Sequence, residues 1–168
     1  MSKLMDKLTR LVVKLKSRAL AKKIRQEVRF PIEASSVKKV LVIMPRNLEL
    51  LDKASLFVQS LRKTYPGWKI ELFDVDKLND QELNRVKLPR QEIVHKLKSA
   101  QYQFVLDLND HIDPLTSYIT ISTEAPYRLH IQAEASNFYN IIYTPQMTNE
   151  GFYYEPLLMY LRNLFVKN

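Results

Sequence analysis

Four side chains able to bind a metal or move a proton fall together at residues 107–113: Asp107, Asp110, His111 and Asp113. Three carboxyls and an imidazole at the end of a buried strand offer the oxygen and nitrogen ligands that a hard or borderline divalent cation takes. Each also has a plainer role. Asp113 precedes Pro114 and reads as a helix N-cap, Asp110 falls in a loop, and only Asp107 sits inside a strand, where a charge needs a partner. A second candidate is MPRNLELLDK at residues 44–53, the first strand-to-helix turn, where nucleotide-binding folds place glycines so that a phosphate can approach bare backbone. The turn has no glycine. The chain's two glycines, Gly67 and Gly151, do not open a helix after a buried strand, so a Walker loop and a dinucleotide fingerprint are absent. Arg46 can meet an anion there as a side chain, with Asn47 beside it.

Other catalytic patterns are missing. His95, His111 and His130 lie 16 and 19 residues apart, without the spacing of a zinc site. No G-x-S-x-G elbow occurs, and the absence of cysteine excludes disulfides, thiolate metal sites and a cysteine nucleophile. The residues therefore assign no catalytic group, metal or cofactor, and leave Arg46, Asn47, Asp107 and Asp110 as ligand-binding candidates.

The elements that must position these residues alternate between strand and helix. Strands are expected at 39–44, 68–75, 103–108, 127–132 and 138–143; helices at 47–65, 89–99, 113–122 and 154–166, with a short helical excursion at 79–86. Such alternation implies crossover units and a mostly parallel sheet covered on both faces, with ligands at the carboxyl ends of the strands. The fold expected is a single Rossmann-like three-layer α/β domain over 38–168. It is preceded by a basic amphipathic helix within 1–29 and a linker at 30–37.

The 168 residues carry 26 Lys and Arg against 18 Asp and Glu, and the whole net charge of +8 lies in residues 1–29. The rest is balanced. Ten cations fall there: Lys3, Lys7, Arg10, Lys14, Lys16, Arg18, Lys22, Lys23, Arg25 and Arg29, around apolar residues at Leu4, Leu8, Leu11, Val12, Leu15, Ala19, Ile24 and Val28. This helix is the expected contact with a protein partner or an anionic membrane surface. Nothing aromatic interleaves its charges for base stacking, which disfavours nucleic acid. No apolar run is long enough to span a membrane, and no signal-peptide core is present. The expected location is the cytoplasm, including the inner face of its membrane.

VLVIMPRNLELLDKASLFVQSLRKTYP at 40–66, WKIELF after it, YQFVLDLND at 102–110 and YRLHI at 127–131 together resemble the N-terminal, acceptor-side half of glycosyltransferase family 9. That is the family of the lipopolysaccharide heptosyltransferases. The resemblance implies a degenerate half of a GT-B enzyme. The family's Gly-Asp turn, whose carboxylate is expected to act as base, falls on Glu49-Leu50, and no donor-binding domain follows. A non-catalytic binding or scaffolding module is the function implied. The alternatives are an enzyme subunit binding a sugar or nucleotide at the strand-end crevice, and nucleic-acid binding through the helix. The layout also resembles short stand-alone proteins of unknown function from Bacteroidetes-type bacteria.

Overall fold

A computed structural model describes residues 3–23, 28–131, 137–145 and 154–167. In chain order its elements are α1 (Lys3–Lys23), β1 (Ile32–Glu33), β2 (Lys39–Ile43), α2 (Leu51–Thr64), β3 (Lys69–Phe73), α3 (Gln91–Ser99), β4 (Phe104–Asp107), α4 (Pro114–Ser122), β5 (Tyr127–His130), β6 (Ile141–Ile142), α5 (Glu155–Leu164) and β7 (Phe165–Val166).

Side-chain alternation builds the sheet. Along β2, Val40 and Val42 join the core on one face while Leu41 and Ile43 join that on the other, and all four are buried. A strand covered on both faces needs this near-continuous apolar run. Five strands pair in parallel in the order β3-β2-β4-β5-β6. The chain steps outward from β2 to β3, then returns past β2 to β4. Because such crossovers are right-handed, the reversal puts α2 and α3 on opposite faces.

One face is closed by α2 and α5, which bring Phe57, Leu61, Leu157 and Leu161 onto Val40, Val42, Phe104 and Leu129. The other is closed by α3 and α4, with Leu97 and Ile119 against Leu41, Ile43 and Val105. The arrangement is the Rossmann-like three-layer α/β fold. Helix α1 packs outside α4, where Val13 meets Leu88, Tyr118 and Ile121.

Three departures from expectation have identifiable causes. Residues 79–86 form turns rather than a helix. Asn79 Oδ1 accepts from the Gln81 and Glu82 amides while Glu82 Oε2 accepts from the Asn79 amide, and the chain then bridges antiparallel at Leu83 and Pro89. This is the reciprocal capping that begins a helix, but Asn84 Oδ1 captures the Val86 and Leu88 amides and turns the chain away. The closing helix stops at Leu164, because Phe165 and Val166 extend as β7 and pair with Ile32 and Glu33 of β1. Within 30–37, Ile32, Ala34 and Val37 are accordingly buried in the main core.

Candidate functional site

In a doubly wound sheet the crevice for a ligand opens where strand order reverses, here between the carboxyl ends of β2 and β4. Pairing sets Ile43 beside Asp107 and Asp107 beside His130. The crevice is closed by a side chain. Asn109, fully buried, donates from Nδ2 to Asp107 Oδ1 at 2.7 Å and to the Met44 carbonyl at 3.4 Å, and its Oδ1 accepts from the Arg46 amide at 2.9 Å. One amide group thereby ties the loop after β2 to the end of β4.

Asp107 is the other half of this plug. Oδ1 also accepts from the Asn109 amide at 3.1 Å and Oδ2 accepts from the Tyr139 hydroxyl at 2.5 Å, with no solvent exposure. Three donors satisfy a buried carboxyl that would otherwise cost several kcal/mol, on the order of 3. Burial, with Asp107 alongside, pushes the Tyr139 hydroxyl well above its ordinary pKa, so it stays a donor.

The remaining candidates are engaged with one another outside the plug. Arg46 donates from Nε to Asp76 at 3.0 Å and from Nη1 to Asp113 at 3.1 Å, and Nη2 lies 2.9 Å from Asp76. Burial works against its charge, but the hydrogen bonds and fields of Asp76 and Asp113 outweigh it, and its pKa is raised. Asp113 Oδ1 caps α4 by accepting from the Leu115 and Thr116 amides, with Pro114 at the first turn. Asn47 Nδ2 donates to Asp110 Oδ2 at 3.2 Å, and Asp110 Oδ1 meets His111 Nδ1 at 2.7 Å. Burial opposes the Asp110 charge, while the His111 and Asn47 contacts lower its pKa overall. The acidic cluster is thus divided among three tasks. Among the described residues no three such groups are placed to hold a metal ion.

His130 has no task in the sequence reading and a distinct place in the structure. It is 1% exposed, its ring centroid lies 4.7 Å from that of Tyr139, and neither ring nitrogen has a hydrogen-bond partner among the described residues. Burial holds its pKa below the ordinary histidine value, against the pull of the Asp107 carboxyl. A histidine kept neutral on folding binds fewer protons than the unfolded chain. Stability is therefore complete above about pH 6.5, the ordinary pKa, and falls as the pH drops below it, by up to about 1.4 kcal/mol per unit. Urea unfolding between pH 7.5 and 5 is expected to show this decline, and His130→Phe to flatten it. An equal decline in the variant would assign it to another group.

The basic helix docks, on a face shifted from the expected stripe. Thr9 Oγ1 donates to the Val86 carbonyl at 2.8 Å, Lys16 Nζ donates to the Tyr118 hydroxyl at 3.3 Å and lies 5.4 Å from that ring's centroid, and Val13 is buried. Positions 9, 13 and 16 form one face of a helix. Val12 and Leu20, partly buried, complete the contact. The consequence is that Leu8, Leu11 and Leu15 point outward, 43%, 54% and 58% exposed. Lys7, Arg10 and Lys14 are exposed beside them. Lys3, Arg18, Lys22 and Lys23 lie on the same helix, and Arg25 lies outside the described residues.

Between α1 and the strand-end loops an open cleft of about 430 Å³ remains. The site is therefore a plugged strand-end crevice beside a helix-roofed cleft. No family model, curated protein or solved structure matches the chain.

The plug and the outward leucines escaped the sequence reading. Asn109 directly follows the strand end, which was the available signal; its partners in the loop after β2 are 63 and 65 residues away.

Proposed function

We propose that this protein is a non-catalytic binding module that attaches an α/β body to an anionic membrane surface through α1. The observation that carries the reading is the row Leu8, Leu11 and Leu15, exposed on a helix already anchored by its opposite side and flanked by Lys7 and Lys14. Spacings of three and four residues keep the leucines on one face. Each removes apolar surface from water on entering the headgroup boundary, at about 25 cal/mol per Å², and each cation near anionic lipid adds about 1 kcal/mol. A helix lying in the interface needs both terms. No described helix is long and apolar enough to cross a membrane, so the contact is peripheral, and the inner face of the cytoplasmic membrane is the location this reading implies.

On the same reading the body is a degenerate relative of the acceptor half of a family 9 glycosyltransferase. Supporting it, Leu50 at the position of the expected base is buried in the main core and Glu49 beside it is exposed. Neither sits at the plugged crevice.

Vesicle flotation tests the proposal. Wild type is expected to bind vesicles containing about a third phosphatidylglycerol, to bind neutral phosphatidylcholine vesicles at least tenfold more weakly, and to be released by salt. Leu8→Gln/Leu11→Gln/Leu15→Gln is expected to lose binding without lowering the melting temperature, since the outward side chains contribute little to the core. Undiminished binding by the triple variant, or equal binding to both vesicle types, would overturn the reading.

A further inference from the structure

Beyond residue 29 the chain is balanced in charge, but the fold does not spread that balance evenly. Asp74, Asp76, Asp110 and Asp113 all follow strands, at the carboxyl end of the sheet. At the opposite end lie two adjoining cavities, one of about 490 Å³ lined by Lys63, Arg162 and Lys167, the other of about 150 Å³ lined by Lys38 and again Lys167. Among the described residues no acid lines either. The two also share Tyr65, and Lys167 Nζ lies 5.6 Å from the centroid of that ring, which places the ammonium at the seam between them. Arg162 is near enough for its charge to act on the Tyr65 hydroxyl.

Many of the body's other cations are paired, Lys39 and Lys69 with Glu71, Arg46 with Asp76 and Asp113, Lys77 with Asp74 and Lys98 with Glu124. Lys38, Lys63, Arg162 and Lys167 have no acidic partner among the described residues. Lys63 and Arg162 stand in the last turns of α2 and α5, where a helix end supplies about half a negative charge, so the two ends together offset about one of the four cations. The α5 carbonyls of Leu161 and Phe165, moreover, already accept from the Tyr65 hydroxyl. The groove therefore keeps a positive field that nothing within it cancels, and a concave surface of one sign concentrates anions.

We propose that this groove binds a short linear polyanion, an oligophosphate, laid across Lys167 with one end toward Lys63 and Arg162 and the other toward Lys38. A ligand charged along its length serves both cavities at once, whereas a single phosphate occupies one. The guanidinium of Arg162 can take two phosphate oxygens through parallel N–H donors, and each ammonium takes one as a point charge. Bases gain no platform here. Tyr65, Trp68 and Phe165 are 3%, 7% and 1% exposed, so stacking is closed and recognition is of phosphate alone. The groove belongs to the α2 and α5 side of the sheet while α1 packs outside α4 on the other, so the site stands independently of the outward leucines.

Calorimetric titration of the full chain with sodium tripolyphosphate, in metal-free buffer of low ionic strength, reads the site. The expected result is saturable binding at one site per chain, weakened by added salt, with inorganic phosphate at least tenfold weaker. Arg162→Gln/Lys167→Gln and Lys38→Gln/Lys63→Gln are each expected to weaken binding about tenfold or more. Lys7→Gln/Arg10→Gln, which takes the same charge from α1, should leave it within about twofold, a margin small beside the tenfold loss. All four groove cations are exposed, so the melting temperatures of the groove variants should match or exceed that of the wild type, and a loss of binding is then a loss of the site. Inorganic phosphate binding as tightly as tripolyphosphate, wild-type affinity in either groove variant, or an equal loss in the α1 variant would overturn the proposal. Tighter binding of an oligothymidylate of equal charge would assign the groove to nucleic acid and overturn it as well.

Discussion

Phe165→Ala is expected to lower the stability of this protein by about 3–5 kcal/mol, the range for emptying a buried phenylalanine site. Phe165 is 1% exposed and sits where four other pieces of chain meet. Its ring lies 5.1 Å from Trp68, edge-on, 4.9 Å from Phe104 and 6.1 Å from Tyr127, while its backbone pairs with Ile32. The neighbouring polar atoms are spoken for as well. Trp68 Nε1 donates to the Ala34 carbonyl at 2.9 Å, and the Tyr65 hydroxyl donates to the Leu161 carbonyl at 2.9 Å. Burial raises the pKa of that hydroxyl to about 12, which keeps it a donor through the working pH range. Removing the ring would leave Trp68 and Phe104 facing a void and forfeit edge-to-face contacts worth about 0.5–1.5 kcal/mol each. Against a total of about 5–15 kcal/mol for such a domain, urea denaturation should show a large fall in midpoint. Phe165→Leu should cost clearly less, because it fills most of the volume. A loss under about 1 kcal/mol in Phe165→Ala would mean that the β1–β7 pair does not close this face of the core.

What the sequence disclosed and what it hid divide along the range of the interactions. Strand β2 was legible because five apolar residues in a row, four of them β-branched or leucine on alternate faces, leave little alternative to a strand covered twice. Asp113-Pro114 was legible because a cap and its helix are adjacent in the chain, and the structure gives that carboxyl the two amide bonds expected of it. At 79–86 the start signal was present and the stop came from Asn84, whose side chain bonds two amides within four residues, a competition that periodicity does not register. The face of α1 was hidden for another reason. Its valines and leucines surround more than one side, and the choice between them is made by Val86 and Tyr118, which lie 77 and 102 residues away from their partners on the helix. The crevice was hidden likewise, since reading Asn109 as a plug requires knowing that β2 and β4 are neighbours.

Asp107→Ala carries the second large effect, and it separates a structural carboxyl from a catalytic one. The substitution deprives the Tyr139 hydroxyl, the Asn109 amide and the Asn109 side chain of their shared acceptor in a buried site, leaving only long contacts, Tyr139 to Ser117 at 3.4 Å and Asn109 Nδ2 to the Met44 carbonyl at 3.4 Å. Unsatisfied buried donors cost about 1–3 kcal/mol each and relax together, so a loss of about 3–5 kcal/mol is expected in urea unfolding. Asp107→Asn should cost less, about 1–2 kcal/mol, because its carbonyl oxygen still serves Asn109 while its amide must face the Tyr139 hydroxyl. The damage should also travel. Asn109, no longer held from β4, loosens its hold on the Arg46 amide, and that amide is expected to exchange with deuterium faster in Asp107→Ala than in Asp107→Asn. Phe165→Ala should not reproduce the difference, since that site lies at the β1–β7 pair. A catalytic carboxyl behaves the other way. Active-site carboxylates commonly sit with unmet hydrogen-bonding capacity or strain, and their replacement is often neutral or stabilising. If Asp107→Asn stabilised the fold while abolishing a thermal shift given by a nucleotide sugar, the crevice would be a binding site with Asn109 as its gate. The three bonds into Asp107 argue for the opposite outcome: they stabilise the closed crevice, and opening it for a sugar would break them before a contact to the ligand had formed.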